Sequence, residues 1–305
     1  MKIIFGLIIL AINFSSLAQS FKLEGDNLLL PTNVMVAWGT VVTNLPDEAW
    51  VYRVVPQSFS DAVLTNLLSI CDLHTFNRKN HLESKYLEFD KNFMEFDQKY
   101  KTLMIAPTVG WMHYEDAHYD TNINFQTAPS RLEAIKLADD LAFQLGIDKS
   151  LINPIPDRMS ETSNQTGNNP AVIIDRGAML HRKIDGIEEK GFCLYSVFGT
   201  DKGQPVLKQF KLFYRNLEPC KKVSIADTNQ IAEFIRQGKS TYTFLPDNLP
   251  AIKKLVITKF YILYWSKPIM PNDSLDFEFP YADITAEAYS DNATNTLYLY
   301  CPLLK

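Results

Sequence analysis

The first long apolar run covers residues 3–12 and has no helical or strand period. Lys2 precedes it, and Asn13, Ser15 and Ser16 restore polarity after it. Ser16 and Ala18 then place small residues at the two positions a signal peptidase reads. These are the charged, apolar and cleavable parts of a secretory signal, so residues 1–18 are expected to be an address, cut after Ala18. The run is shorter than the ~20 apolar residues a bilayer-spanning helix needs. No later stretch is long enough, so no stable membrane span is expected after cleavage.

Helical periods appear three times. Over 60–71, Leu64, Leu67, Leu68 and Cys71 repeat behind a capping Ser60. Over 131–145, Ser130 and Glu133 form a capping box, Ile135, Ala138, Leu141, Ala142 and Leu145 form an apolar face, and Gly146 stops the helix. Over 228–237, Asp227 and Gln230 repeat the cap, Ile231, Phe234 and Ile235 supply the face, and Gly238 the stop.

Elsewhere the period is two, as in strands. Strands are expected at 34–38, 50–55, 86–90, 93–97, 103–106 and 111–115. Further ones are expected at 171–174, 178–184, 192–197, 206–217, 254–265, 277–289 and 296–301. Asp185-Gly186 reads as a tight hairpin turn and Pro107 to Gly110 as a loop. Residues 153–170 are rich in Asn, Pro, Ser and Thr. They are expected to be a linker or long loop between an N-terminal domain, 19–152, and a C-terminal domain, 171–305. Strand runs with occasional helices, and no regular β-α alternation, predict an α+β fold. It would comprise two consecutive antiparallel-sheet domains with helices packed on one face.

Composition changes this picture little. A net charge of -5 without a long basic run argues against a nucleic-acid partner. With only 12 glycines, phosphate-cradling loops are not expected. Export bears on Cys71, Cys193, Cys220 and Cys301: four thiols permit two disulfides, or remain buried and free.

Candidate chemistry is sparse. The segment 113–118 holds His113, Glu115, Asp116 and His118, all metal-ligand types. On a strand, His113 and Glu115 share one face, and Asp116 and His118 the other. Glu88, Asp90, Glu95 and Asp97 are the residue types of a glycosidase carboxylate pair, yet alternation makes them polar faces of adjacent strands. His74, His81 and His181 stand alone. Aromatic residues gather near the C-terminus (Tyr261, Tyr264, Trp265, Phe277, Phe279, Tyr281, Tyr289, Tyr298 and Tyr300), where cross-strand packing explains them. No catalytic, cofactor-binding or metal-binding residue is assigned.

Four stretches carry a family resemblance: Lys101 to Tyr114, the helix from Glu133 to Gly146, Leu180 to Ile187, and Val223 to Lys239. Their pattern resembles the PepSY-like and YycH/YycI-like extracytoplasmic domains, in which sheets curl around helices in a cystatin-like manner. Ile187-Glu188 stands where that pattern has Pro-Val after the Asp-Gly turn. The resemblance implies a secreted or periplasmic, non-enzymatic cell-envelope module that binds a protein, a peptide or an envelope ligand. The alternative is an exported hydrolase, metal-dependent or not, with a site around His113–His118.

Overall fold

The computed structural model describes residues 26–28, 30, 33–43, 45–56, 60–74, 77–78, 90, 92–117, 128–154, 159–165, 167–191, 193–242, 251–264 and 277–305. Strands β1 (Asp26–Asn27), β2 (Met35–Trp38) and β3 (Glu48–Val55) come first. Helix α1 (Asp61–Ile70) is followed by β4 (Asn77–Arg78), β5 (Met94–Gln98), β6 (Lys101–Ala106) and β7 (Trp111–Asp116). Helix α2 (Arg131–Gln144) precedes β8 (Ile152–Pro154), β9 (Ser160–Asn164), β10 (Val172–Ile184) and β11 (Ile187–Glu189). Next come β12 (Leu194–Asp201), β13 (Gln204–Phe213) and β14 (Asn216–Ser224). Helix α3 (Thr228–Arg236) leads to β15 (Thr241–Tyr242), β16 (Lys254–Tyr264), β17 (Phe277–Glu278), β18 (Pro280–Tyr289) and β19 (Thr294–Pro302).

This overturns the α+β expectation. The described α-helices are three, of 10, 14 and 9 residues, against strands of up to 13 residues, and the fold is β-rich. Its sheet is mixed, because β2 runs parallel to β16. Nor are there two consecutive domains. One compact unit takes in the described residues from Asp26 to Val54, from Leu217 to Tyr264 and from Phe277 to Lys305. The other, Val55–Asn216, is inserted within it. Alternation reports which face of a strand is apolar, but not which distant strand lies beside it.

In the inserted unit the strand order is β11-β10-β12-β13-β7-β6-β5-β4, with β8 and β9 also pairing with β10. Residues 153–170, expected as a linker or long loop, carry the end of β8 and all of β9. Leu67 and Leu68 of α1, and Ala134, Ala138, Leu141 and Ala142 of α2, share one buried cluster with Leu103, Ile105, Leu180, Leu194, Phe210 and Leu212 of the strands. Both helices start as expected. Ser60 accepts a hydrogen bond from the Val63 amide, and Ser130 and Glu133 close a reciprocal capping box. Asn66 Nδ2 donates to the Gln144 carbonyl at 3.0 Å and joins the two helices.

The strand expected over 206–217 breaks at Tyr214-Arg215. There the Tyr214 amide donates to the Gly110 carbonyl at 2.8 Å instead of continuing the ladder. Gly110 has φ +70, and a Cβ on it would meet the Tyr214 carbonyl oxygen at 2.4 Å, so the crossing requires glycine. Asp185 and Gly186 both have positive φ, as a two-residue hairpin between β10 and β11 demands.

The flanking unit orders its strands β1-β15-β19-β18-β16, with β2 parallel to β16. Ile231, Ala232 and Ile235 of α3 join Leu255, Ile257, Ile284 and Leu299 in its core. A smaller sheet, β14-β3-β17, surrounds a second cluster of Val51, Phe279 and Tyr281. All four cysteines are free; Cys71, Cys193 and Cys301 are buried and Cys220 is exposed. Among the described residues, no helix is long and apolar enough to cross a membrane.

Candidate functional site

The sheet of the inserted unit has one face in the core, carrying Tyr114, Phe210, Leu212, Leu194 and Leu180. Alternation turns their neighbours to the other face. Register aligns those neighbours in two rows across β7, β13, β12 and β10. One row is Glu115, Gln209, Val197 and Gly177; the next is His113, Lys211, Tyr195 and Met179. Residues more than 60 positions apart in sequence thus become neighbours at the ~4.8 Å strand spacing.

Two register shifts interrupt the ladders. One lies where β12 passes β13, between Val197 and Phe198, and one where β9 passes β10, between Ile173 and Asp175. Such irregularities re-aim side chains. Beside them sit Lys208 and Asp175, whose Nζ and Oδ2 lie 3.0 Å apart in a buried ion pair. The Lys208 stem runs close to Gly199, where a Cβ would be 3.1 Å from its Cδ. Gly177 is more demanding. A Cβ there would meet Ser160 Oγ at 2.2 Å and Tyr195 Cε2 at 2.7 Å, so only glycine lets both side chains lie over the strand. The Tyr195 and Ser160 hydroxyls are then 2.7 Å apart.

These groups border a half-open cavity of about 200 Å³ lined by Glu115, Asp116, Thr162, Asp175, Tyr195, Val197, Lys208 and Gln209. The flanking unit has a wider concavity of about 750 Å³. Its wall carries Lys222 and Glu48, paired at 3.1 Å but both about half exposed, so solvent rather than the fold governs their geometry. The buried pair makes the smaller cavity the better-held site.

His113 sits at the margin of this site. Its Nε2 is 3.0 Å from Gln209 Nε2 and 3.9 Å from Glu115 Oε2. Burial, and then the Lys211 ammonium, lower its pKa to about 4, so the ring is neutral at pH 7. A neutral ring accepts the Gln209 amide proton at one nitrogen.

The structure thus brings together His113 and Glu115, as alternation required. Asp116 lies opposite Lys101 on β6, its Oδ2 4.0 Å from the Lys101 Nζ, while also edging the cavity. His118 lies outside the described residues. Among the described residues, no group of three or more His, Cys, Asp or Glu is placed to hold a metal ion.

Of the acidic residues 88–97, Glu88 is outside the described residues, and Asp90 is structural. Its carboxylate accepts from the Thr108 amide at 2.7 Å, the Thr108 hydroxyl at 2.8 Å and the Asn92 amide at 2.8 Å. Asp97 accepts from the Thr102 hydroxyl at 2.9 Å. His74 is exposed beside Asp72, whereas His181 is buried with Nδ1 3.1 Å from Glu188; His81 is outside the described residues. Among the C-terminal aromatics, Tyr264, Phe279 and Tyr281 are fully buried, and Tyr261 and Tyr298 are exposed. Trp265 is outside the described residues.

Asp175, Tyr195, Lys208 and Gln209 were not singled out by sequence reasoning. One signal is present: Lys208 continues the alternation of the buried Phe210 and Leu212, and a lysine at a buried position needs a partner.

No family model matches the chain, and no curated protein matches it. A solved structure of an uncharacterised protein from Eubacterium rectale is similar at 9% identity and a TM-score of 0.43, with 94% of this chain and 95% of that one covered.

Proposed function

We propose that the chain is a non-enzymatic binding module of the cell envelope, exported by its N-terminal signal, that takes its ligand in the cavity of the inserted unit. The Lys208–Asp175 pair carries this reading. Two charges are taken out of water on a cavity wall, 3.0 Å apart, where a packed apolar pair would serve stability as well. Their retention fits a polar ligand. The same pairing argues against catalysis, because an ammonium committed to a carboxylate is poorly placed as a base or nucleophile. His113, neutral and bonded to Gln209, is likewise used for positioning. The resemblance to PepSY-like and YycI-like domains and the signal-like N-terminus point the same way.

The test is retention of the full chain on purified envelope fractions, comparing wild type with the double variant Lys208→Met/Asp175→Leu. Retention lost in a folded double variant supports the reading. Equal retention by both, or steady release of soluble cleavage products by wild type, overturns it.

A further inference from the structure

Resting on that reading of the cavity, we propose that its ligand is a neutral, polyhydroxylated molecule no larger than one sugar ring. Size sets the upper bound. At about 200 Å³ the cavity is smaller than the ~300–1,000 Å³ of sites for drug-sized ligands.

Charge sets the class. Three carboxylates (Glu115, Asp116 and Asp175) share the wall with one ammonium, Lys208. Asp175 is paired with Lys208 at 3.0 Å, and Asp116 lies 4.0 Å from Lys101. A cation entering meets the Lys208 ammonium, and an anion meets the carboxylates. An anion therefore gains little, and the carboxylate left to attract a cation, Glu115, is about half exposed, so water screens that attraction. A hydroxyl does not face this conflict. It donates to a carboxylate and accepts from an ammonium or amide, so one kind of group suits Glu115, Gln209, Thr162 and Lys208 together. Tyr195 and Val197 supply the apolar contact that the C–H face of a ring needs. Gly177 keeps the Tyr195 ring in place over the strand. A ligand of this chemistry is either a free sugar or polyol, or the terminal sugar of an envelope glycan.

The test is calorimetric titration of the full chain with a panel of neutral hexoses, inositol and glycerol. It includes the matching amino sugars and uronates, and the same hexoses displayed at the ends of immobilised glycans. At least one neutral member is expected to bind. Its charged analogues are expected to bind about tenfold or more weakly. Tyr195→Ala and Gln209→Ala, which both leave the Lys208–Asp175 pair in place, are each expected to weaken it about tenfold, through loss of the ring contact and of one hydrogen bond respectively. Binding of the free sugar identifies a small soluble ligand; binding only of the displayed sugar identifies a glycan end; both support the inference. If an amino sugar or a uronate binds better than its neutral parent, with the same sensitivity to the two variants, the site stands and the ligand class is wrong. If nothing in the panel binds, the ligand class is wrong and envelope retention still decides the site; if a member binds and neither variant weakens it, the cavity is not its binding site and both readings fall.

Discussion

At the scale of single residues, a buried ion pair sits where strand ladders shift register. Lys208 and Asp175 are both buried, and each neutralises the other. Removing one partner leaves the other charge unpaired, which costs about 3–5 kcal/mol, whereas replacing both with apolar groups is nearly neutral. Lys208→Met and Asp175→Asn are therefore each expected to destabilise by that amount. Lys208→Met/Asp175→Leu should recover most of the loss, as read by denaturant unfolding. Additive losses would contradict the pairing. His113 supports a prediction of the opposite electrostatic kind. Its folded pKa of about 4 lies below the ordinary ~6.5. Between these values the unfolded chain binds more protons than the folded one, so acidification removes stability across that window. The groups facing the ring are Lys211, Glu115 and Gln209. His113→Gln is expected to flatten the fall in stability between about pH 6.5 and 4, and an imidazole proton followed by NMR should titrate near 4. Little of this was legible in sequence. The cavity draws one or two residues from each of β7, β9, β10, β12 and β13, and register alone assembles them.

At the scale of elements, legibility depended on whether the determining interactions were local. All three helices stand where capping residues and apolar period placed them, because a cap and a face lie within one or two turns of chain. The caps also differ in a measurable way. Asp227 accepts from the Asn229 and Gln230 amides, both at 2.9 Å, while Ser130 accepts from the Glu133 amide alone, at 3.2 Å. Asp227 adds a negative charge at a helix N-terminus, which the dipole favours. Both Ala substitutions are expected to destabilise by about 1 kcal/mol, with Asp227→Ala the larger. Thermal unfolding of the two variants side by side checks the order. Strand β9 shows the converse. Ser160 to Asn164 has no apolar alternation, since all but its first residue are exposed, and only its ladder to β10 makes it a strand. A composition typical of loops was therefore misleading there. The long strand expected over 206–217 failed for a related reason: the break at Tyr214 is imposed by Gly110, more than 100 positions earlier in the chain.

At the scale of the whole molecule, the main departure from expectation is the order of assembly. Sequence reading places neighbours in space beside neighbours in the chain, and here that assumption fails in several places, with large consequences. Strand β2, near the start of the described chain, runs parallel to β16, and β3 lies between β14 and β17. The flanking unit thus depends on segments from both ends of the chain, while the inserted unit draws its core from within Val55–Asn216. The two should respond differently to dissection. A fragment spanning Val55–Asn216 keeps α1, α2 and strands β4 to β13, with every residue of its buried cluster. It is expected to fold and to unfold cooperatively. A fragment beginning at Leu217 keeps α3 and β15 to β19. It loses β2, the parallel partner of β16, and β3, the middle strand of the small sheet. Val34, Val36, Ala49 and Val51 leave with them, all buried in the intact chain. The exposed edge of β16 and the uncovered Phe279 and Tyr281 then present apolar surface to water, so this fragment is expected to aggregate or remain unfolded. Adding a second fragment that ends at Val54 should restore order if the interleaved topology is correct. Circular dichroism and heteronuclear NMR of the fragments, alone and mixed, decide the matter. Independent folding of the fragment beginning at Leu217 would return the molecule to two consecutive domains.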